Sequence, residues 1–296
     1  MDSQNLIAFL QVAELGSFSL AGEKLHLTQP AVSKRIAALE DQLNLRLFDR
    51  IGRQVNLTEA GRVLLPNAKR IIRAVEESRR QLADLSGQVR GELHLATSHH
   101  IGLHRLPPVL RAFSQRYPDV DLQLRFLDSE KAYAEVLQGR VDLAVITLSP
   151  TVHAVLVSEV IWTDPLAFVC SPQHPLTRFE NLKLKDLAAY PAILPEPETY
   201  TGRIVAGLFS RAGVSLPLKL ATNYLETLKM MVSIDLGWSV LPHSIIDEHL
   251  RVLTPETPAG FALTRQLGFV HHRDRSLGNA AHAFIRLLNQ AKSAKS

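Results

Sequence analysis

The sequence predicts a winged helix-turn-helix head on a long helix, followed by an α/β domain. Three observations lead there. Thr28–Asn44 (TQPAVSKRIAALEDQLN) reads as a capped amphipathic helix that follows two shorter ones. Leu64, Ala68, Ile71, Val75, Ser78, Leu82 and Leu85 step by four and three, the a/d repeat of a coiled coil. Beyond residue 91, strand-like and helix-like segments alternate, which implies parallel sheets with right-handed crossovers.

The first helix is expected over residues 3–14, with Ser3 as N-cap and Leu6, Phe9, Leu10 and Ala13 buried. Gly16-Ser17 ends it. Ser19 is placed as the cap of a short second helix through about Leu25, with Leu20, Ala21 and Leu25 inward. Thr28 caps the third helix, and Pro30 sits in its first turn, where a missing N–H costs nothing. Val32, Ile36, Leu39 and Leu43 form its apolar stripe. Pro30, Lys34 and Ala37 take the opposite face, with Ser33 on its flank. Small residues there permit close approach to a major groove, and Gln29 or Lys34 reach base edges or phosphates. The competing reading is a solvated surface helix.

RLFDR and IGRQVNLT read as two short strands around a turn at about 51–53, a wing whose Arg50 and Arg53 contact phosphates or a minor groove. Thr58 caps a helix through about Ser86. At about 28 residues it is about 42 Å long, too long to pack on a small head alone, so a partner helix from a second chain is expected. Pro66 is expected to kink or loosen its first turns. Ser86-Gly87-Gln88 and Gly91 mark a hinge.

Composition bounds the function. At 296 residues, 46% apolar and 21% charged, the chain has the composition of about two globular domains. No apolar run reaches about 18 residues, so no membrane span is expected. MDSQNLIAFL lacks the features of a signal peptide. The single cysteine, Cys170, excludes an intramolecular disulfide and fits a cytoplasmic protein. The net charge is +4, yet residues 1–57 carry six basic and six acidic side chains. Any basic footprint of the head therefore arises from placement, at residues 33–35 and 46–53.

The run AFLQVAELGSFSLAGEKLHLTQPAVS, then Leu39-Glu40, LRLFDR and LTEAG resembles the DNA-binding domain of the LysR-type transcriptional regulators over about 60 residues, in order and spacing. The resemblance implies a winged helix-turn-helix at 1–58, a dimerising linker helix at 59–87, a hinge at 88–91 and an effector-binding domain at 92–296. That domain would be α/β, two-lobed and periplasmic-binding-protein-like. Lobe I is expected over about 92–164 and 268–296, and lobe II over about 165–267, with PLAFVCSP as the crossover. In lobe II, helices are expected near 182–188, 202–212 and 224–234, and strands near 192–195 and 237–241. The resemblance also implies that Thr28, Gln29, Pro30, Ser33 and Lys34 address double-stranded DNA, with Arg50 and Arg53 on the wing.

Small ligands of such domains bind at the carboxyl ends of strands. Thr97, Ser98 and the backbone at 99–102 suit an oxyanion where a helix begins. The resemblance points to Ser98, His100 and Thr147 as effector-binding residues, and more loosely to Thr199 and Thr201. Arg203 is added as a charge partner for an anion, and His99 as a hydrogen-bonding group. Helix capping is the competing role for Ser98 and Thr147. Asp235 stands where the family usually has glycine. Asp tolerates left-handed backbone, but an acid near a cleft mouth would disfavour anionic effectors.

His100 and His104, four apart, share a helix face, but no acidic or cysteine ligand lies close in sequence. No metal or cofactor is therefore assigned. Neither G-x-S-x-G, H-E-x-x-H, a P-loop nor G-x-G-x-x-G occurs, and Cys170 has no evident base, so no catalytic residue is assigned. The sequence thus points to a cytoplasmic DNA-binding regulator controlled by a small-molecule effector. It would be a homodimer or homotetramer, with RNA polymerase as a further candidate partner. Its rivals are a sensing module acting through protein contacts and an enzyme built in the cleft.

Overall fold

The computed structural model describes residues 2–51, 54–84, 87–151 and 153–293, and divides into two compact units, 1–86 and 87–296. In the first unit, α1 (Ser3–Leu15), α2 (Phe18–Lys24) and α3 (Gln29–Leu43) precede β1 (Phe48–Ile51), β2 (Gln54–Leu57) and α4 (Glu59–Asp84).

Two expected caps move. Asp2, not Ser3, caps α1 by accepting from Gln4 N, and Ser17, not Ser19, caps α2 by accepting from Leu20 N. The buried stripe of α1 runs Leu6, Phe9 and Val12, while Leu10 and Ala13 are only partly buried. In α2, Phe18, Ala21 and Leu25 recur at helical spacing and face the core, which turns Leu20 outward at 48% exposure. Val32, Ile36 and Leu39 of α3 are buried as their spacing requires.

The family motifs have physical content here. A Cβ on Gly22 would lie 2.8 Å from the Leu27 carbonyl oxygen, so glycine lets the turn fold back onto α2. Glu40 accepts from Leu47 N at 2.7 Å and Phe48 N at 3.3 Å, tying β1 to α3. Thr58 accepts from Gly61 N at 3.0 Å and donates to the Arg46 carbonyl at 2.7 Å. A Cβ on Gly61 would lie 2.3 Å from the Leu47 carbonyl oxygen, so LTEAG seats α4 directly against the chain entering the wing.

β1 and β2 pair antiparallel, from Phe48 opposite Leu57 to Ile51 opposite Gln54. Gly52 and Arg53 lie outside the described residues, and Arg50 is described by its backbone alone. α4 runs as one helix with Pro66 inside it. Its head-facing side carries Ala68 and Ile72, while Val63 and Leu82 are 64% and 69% exposed. Ile72 falls outside the four-three repeat. Leu85 and Ser86 lie outside the described residues.

The second unit begins with β3 (Gly91–Thr97), α5 (His99–His104), α6 (Pro107–Arg116), β4 (Val120–Phe126), α7 (Ser129–Leu137) and β5 (Leu143–Thr147). The long β6 (Leu156–Cys170) leads into α8 (Leu184–Leu187), β7 (Ala192–Leu194), α9 (Tyr200–Arg211), β8 (Leu218–Ala221) and α10 (Leu225–Ser233). β9 (Ser239–Pro242), β10 (Arg251–Leu253), β11 (Thr264–His272) and α11 (Asn279–Ser293) close the chain.

The sheet is mixed, not parallel throughout. β3 pairs in parallel with β4 and β5, but β11 runs antiparallel to β5 and β6. β6 serves both lobes. Its first part, through Pro165, pairs with β11, and Leu166–Cys170 pairs antiparallel with β9 and β10. β8 and β10 go beyond the strands the sequence predicts; β8 is exposed along its length, and its Leu-Lys-Leu alternation is too short to mark a strand. Lobe I packs Leu93, Leu95, Phe113 and Phe284 on one face of its sheet and Ala132, Val136 and Ile146 on the other. Lobe II centres on Trp238, stacked on Phe209 and donating to the Leu187 carbonyl at 2.9 Å. Among the described residues no helix is long and apolar enough to cross a membrane.

Candidate functional site

Two places concentrate the predicted residues. On α3, Thr28, Gln29, Pro30 and Lys34 are exposed and Ser33 is half-buried. Gln29 Nε2 donates to Ser33 Oγ at 2.9 Å, one turn on, which orients the carboxamide along the helix face. Thr28 Oγ1 accepts from Ala31 N and so begins the helix at its exposed end. A groove of about 580 Å³ separates this helix from the wing, lined among others by Ser33, Ala37 and Arg46.

The second place is a cleft of about 210 Å³ between the two lobes of the second unit. Lobe I contributes Ser98, His99, His100 and Thr147; lobe II contributes Thr199 and Thr201. Arg265 of β11 completes the wall. Its guanidinium donates from Nη1 to Thr201 Oγ1 at 3.2 Å and from Nε to Asp164 Oδ2 at 2.8 Å, and Nη2 forms an ion pair with the same oxygen at 2.8 Å without a hydrogen bond. Arg105 Nη2 takes the other Asp164 oxygen at 2.9 Å. Burial holds the Arg265 pKa below its ordinary value, opposed by the charge of Asp164. Among the polar contacts that cross between the lobes, Tyr200 N donates to Glu130 Oε1 at 2.6 Å, and His104 Nε2 lies 2.9 Å from Glu226 Oε1.

With this geometry in place, the family models decide the identity. The model described as "Bacterial regulatory helix-turn-helix protein, lysR family" matches residues 3–62, and "LysR substrate binding domain" matches residues 86–293. The chain belongs to the LysR family. It is a LysR-type DNA-binding transcriptional regulator with an effector-binding domain, and not an enzyme. It is 70% identical over 108 residues to an uncharacterized HTH-type transcriptional regulator of Azotobacter vinelandii, covering 36% of this chain and 75% of that one. It is 31% identical over 283 residues to the RuBisCO operon transcriptional regulator of Allochromatium vinosum, covering 95% and 93%. The solved structure of full-length CbnR with its target DNA shares the fold, with a TM-score of 0.68, 23% identity and coverage of 98% and 100%.

Within this LysR-type regulator the cleft departs from the sequence expectation at two residues, Thr97 and Arg203, while Asp235 takes the left-handed backbone expected of it. Thr97 is fully buried and donates to the Val145 carbonyl at 2.8 Å, so it ties β3 to β5 and does not line the cleft. Arg203 lies one turn into α9, and its guanidinium sits 4.8 Å from the Tyr200 ring centre; the cleft arginine is Arg265. Asp235 adopts a left-handed φ of 65° and accepts from Ser171 Oγ at 2.6 Å, and it is absent from the cleft wall. Burial, reinforced by Asp235, pushes the Cys170 thiol up to about 12.

The hydroxyls in the cleft differ in availability. Thr199 caps α9 by accepting from Gly202 N at 3.0 Å and donates to the Glu196 carbonyl. Ser98 occupies the cap position of α5 but makes no side-chain capping bond. His99 packs edge-on to Phe126 and Tyr224. Asp164, Arg265, Glu130 and Glu226 carried no local signal, because each acquires its partner from a distant segment.

His100 is 4% exposed, and its pKa is lowered to about 4, first by burial and then by Arg265. The unfolded chain takes up that proton near 6.5, so more protons bind to the unfolded state as pH falls. The contribution of His100 is intact above pH 6.5 and is lost between there and about 4. That interval corresponds to about 3 kcal/mol. We expect His100→Gln to lose less stability than the parent between pH 7 and 4.5 in chemical denaturation. Equal losses would exclude His100 as a source of the acid sensitivity.

Proposed function

We propose that Thr28, Gln29, Pro30, Ser33 and Lys34 form the sequence-reading face of this regulator. Gln29 and Ser33 meet base edges in the major groove, and Lys34 meets a flanking phosphate. Arg50 and Arg53 of the wing add phosphate or minor-groove contacts. The observation that supports this reading is the exposed, small and polar face of α3, held in place by the buried Val32, Ile36 and Leu39 behind it. The protein acts in the cytoplasm as a homodimer or homotetramer through α4, whose Val63 and Leu82 stand exposed. Two heads then read half-sites related by dyad symmetry, and RNA polymerase is a partner at the promoter.

The effector is a small polar molecule held by Ser98, His99, His100, Thr147, Thr199 and Thr201. Its binding changes the disposition of the lobes and so the spacing of the heads. Domain limits at 58, 87 and 91 follow the same reading. A DNA-binding selection with purified full-length protein at physiological salt tests it. Enrichment of a dyad-symmetric motif is the expected result. Weak, salt-sensitive binding without a motif would refute sequence reading by this face.

A further inference from the structure

His100 and His104 of α5 project from lobe I, and Glu226 of α10 meets them from lobe II. One donor atom from each lies within 4.8 Å of the others. His104 Nε2 is 2.9 Å from Glu226 Oε1, and His100 Nδ1 is 3.9 Å from the same oxygen. The two imidazole rings are 4.8 Å apart, centre to centre. Tetrahedral zinc with bonds of about 2.0–2.1 Å sets its ligand atoms about 3.3 Å apart, so modest side-chain adjustment brings these three donors into range.

A second observation points to a missing partner. The His100 side chain is only 5% exposed, yet neither ring nitrogen has a hydrogen-bond partner, and Glu226 Oε2 has none either. A buried polar group left unpaired is costly, and such groups in native proteins call for a specific explanation. An ion held between them would take one ring nitrogen of His100 and Glu226 Oε2. Two imidazoles and a carboxylate are a donor set for zinc and neighbouring divalent transition ions, not for calcium or magnesium.

We propose that His100, His104 and Glu226 form a binding site for a divalent transition-metal ion, with zinc as the type case, that bridges the two lobes beside the effector cleft. Because one ligand comes from the far lobe, the ion stabilises the closed arrangement. Three protein donors leave a tetrahedral position open for water or a ligand oxygen. His100 also lines the cleft, so metal and cleft ligand affect each other's affinity reciprocally. The i, i+4 histidines were legible in the sequence; the acid, 122 residues beyond His104, was not.

The test uses the untagged full-length chain, stripped with EDTA, and its His104→Ala and Glu226→Gln variants. Both substituted side chains are more than a third exposed or close to it, so the fold tolerates them, which far-UV circular dichroism checks. Zinc is titrated against a chromophoric chelator, and cobalt is added separately to read coordination by visible absorption. The chain holds 12 histidines, so surface binding is read as the background common to all variants. We expect the parent to bind one more zinc than either variant, or the same site at least tenfold more tightly, and to give tetrahedral cobalt absorption that both variants lose. Equal zinc binding in parent and variants, or no tetrahedral absorption in the parent, overturns the proposal. In that case the His104–Glu226 contact is an ion-free latch between the lobes. The outcome is independent of whether α3 reads DNA.

Discussion

Asp164→Ala is expected to destabilise the effector-binding unit by about 3–5 kcal/mol, measured by chemical denaturation of the full-length protein. Asp164 is fully buried and is the counter-charge to two arginines. Arg265 is itself buried, and its remaining hydrogen bond from Nη1 to Thr201 does not neutralise a guanidinium. Without Asp164, a cation stays in a low-dielectric site with no opposing charge. Replacing both partners with apolar residues, Asp164→Leu with Arg265→Met, is expected to recover much of the loss, since no buried charge then remains unpaired. A loss below about 1 kcal/mol, the range of an exposed pair, would show that the site is well hydrated. Arg265 and Thr201 line the cleft, so Asp164→Ala should also weaken the response to effector.

Gln29→Ala is expected to weaken binding to the selected DNA motif by about 10–100-fold, the range of one good base contact. Binding to unrelated DNA should change by less than about threefold, because base contacts carry specificity while phosphate contacts carry non-specific affinity. The Gln29–Ser33 hydrogen bond lies on the exposed face, so its loss should leave the fold of the head intact. Lys34→Ala should behave in the opposite way. It should lower affinity about equally for all sequences and reduce the salt slope by about 0.9. Equilibrium binding at several salt concentrations separates the two. Equal loss on every sequence for Gln29→Ala would assign that residue to the backbone instead of the bases.

The head was legible because its determinants are local. Thr28 caps α3 from within the segment, and Val32, Ile36 and Leu39 repeat at helical spacing. Even the misplaced caps moved by only one or two residues, since Asp2 and Ser17 offer the same oxygen acceptor as Ser3 and Ser19. The helices of the second unit follow the same rule. α6, α7, α9 and α10 lie where their periodic apolar residues and breaks indicated.

The cleft was only partly legible. Ser98, His99, His100, Thr147, Thr199 and Thr201 do line it, because strand ends converge there in a two-lobed α/β domain. What those side chains bond to was not readable. The hydroxyl of Thr97 goes to the carbonyl of a neighbouring strand, and that of Thr199 to its own helix. Arg203 was favoured for its closeness in sequence to two cleft threonines, yet the arginine that enters the cleft comes from β11.

By itself, then, the sequence determined the order of the elements in the head, the exposed polar face of α3 and the membership of the family. Those follow from capping, periodicity and tight glycine spacing, all set within a few residues. Tertiary structure alone decided the mixed sheet and the charge pattern of the cleft. It joined Asp164 to Arg265 across 101 residues, Glu130 to Tyr200 across 70 and His104 to Glu226 across 122. Periodicity reports which face of an element is buried, but only the packed chain decides which distant group meets it there.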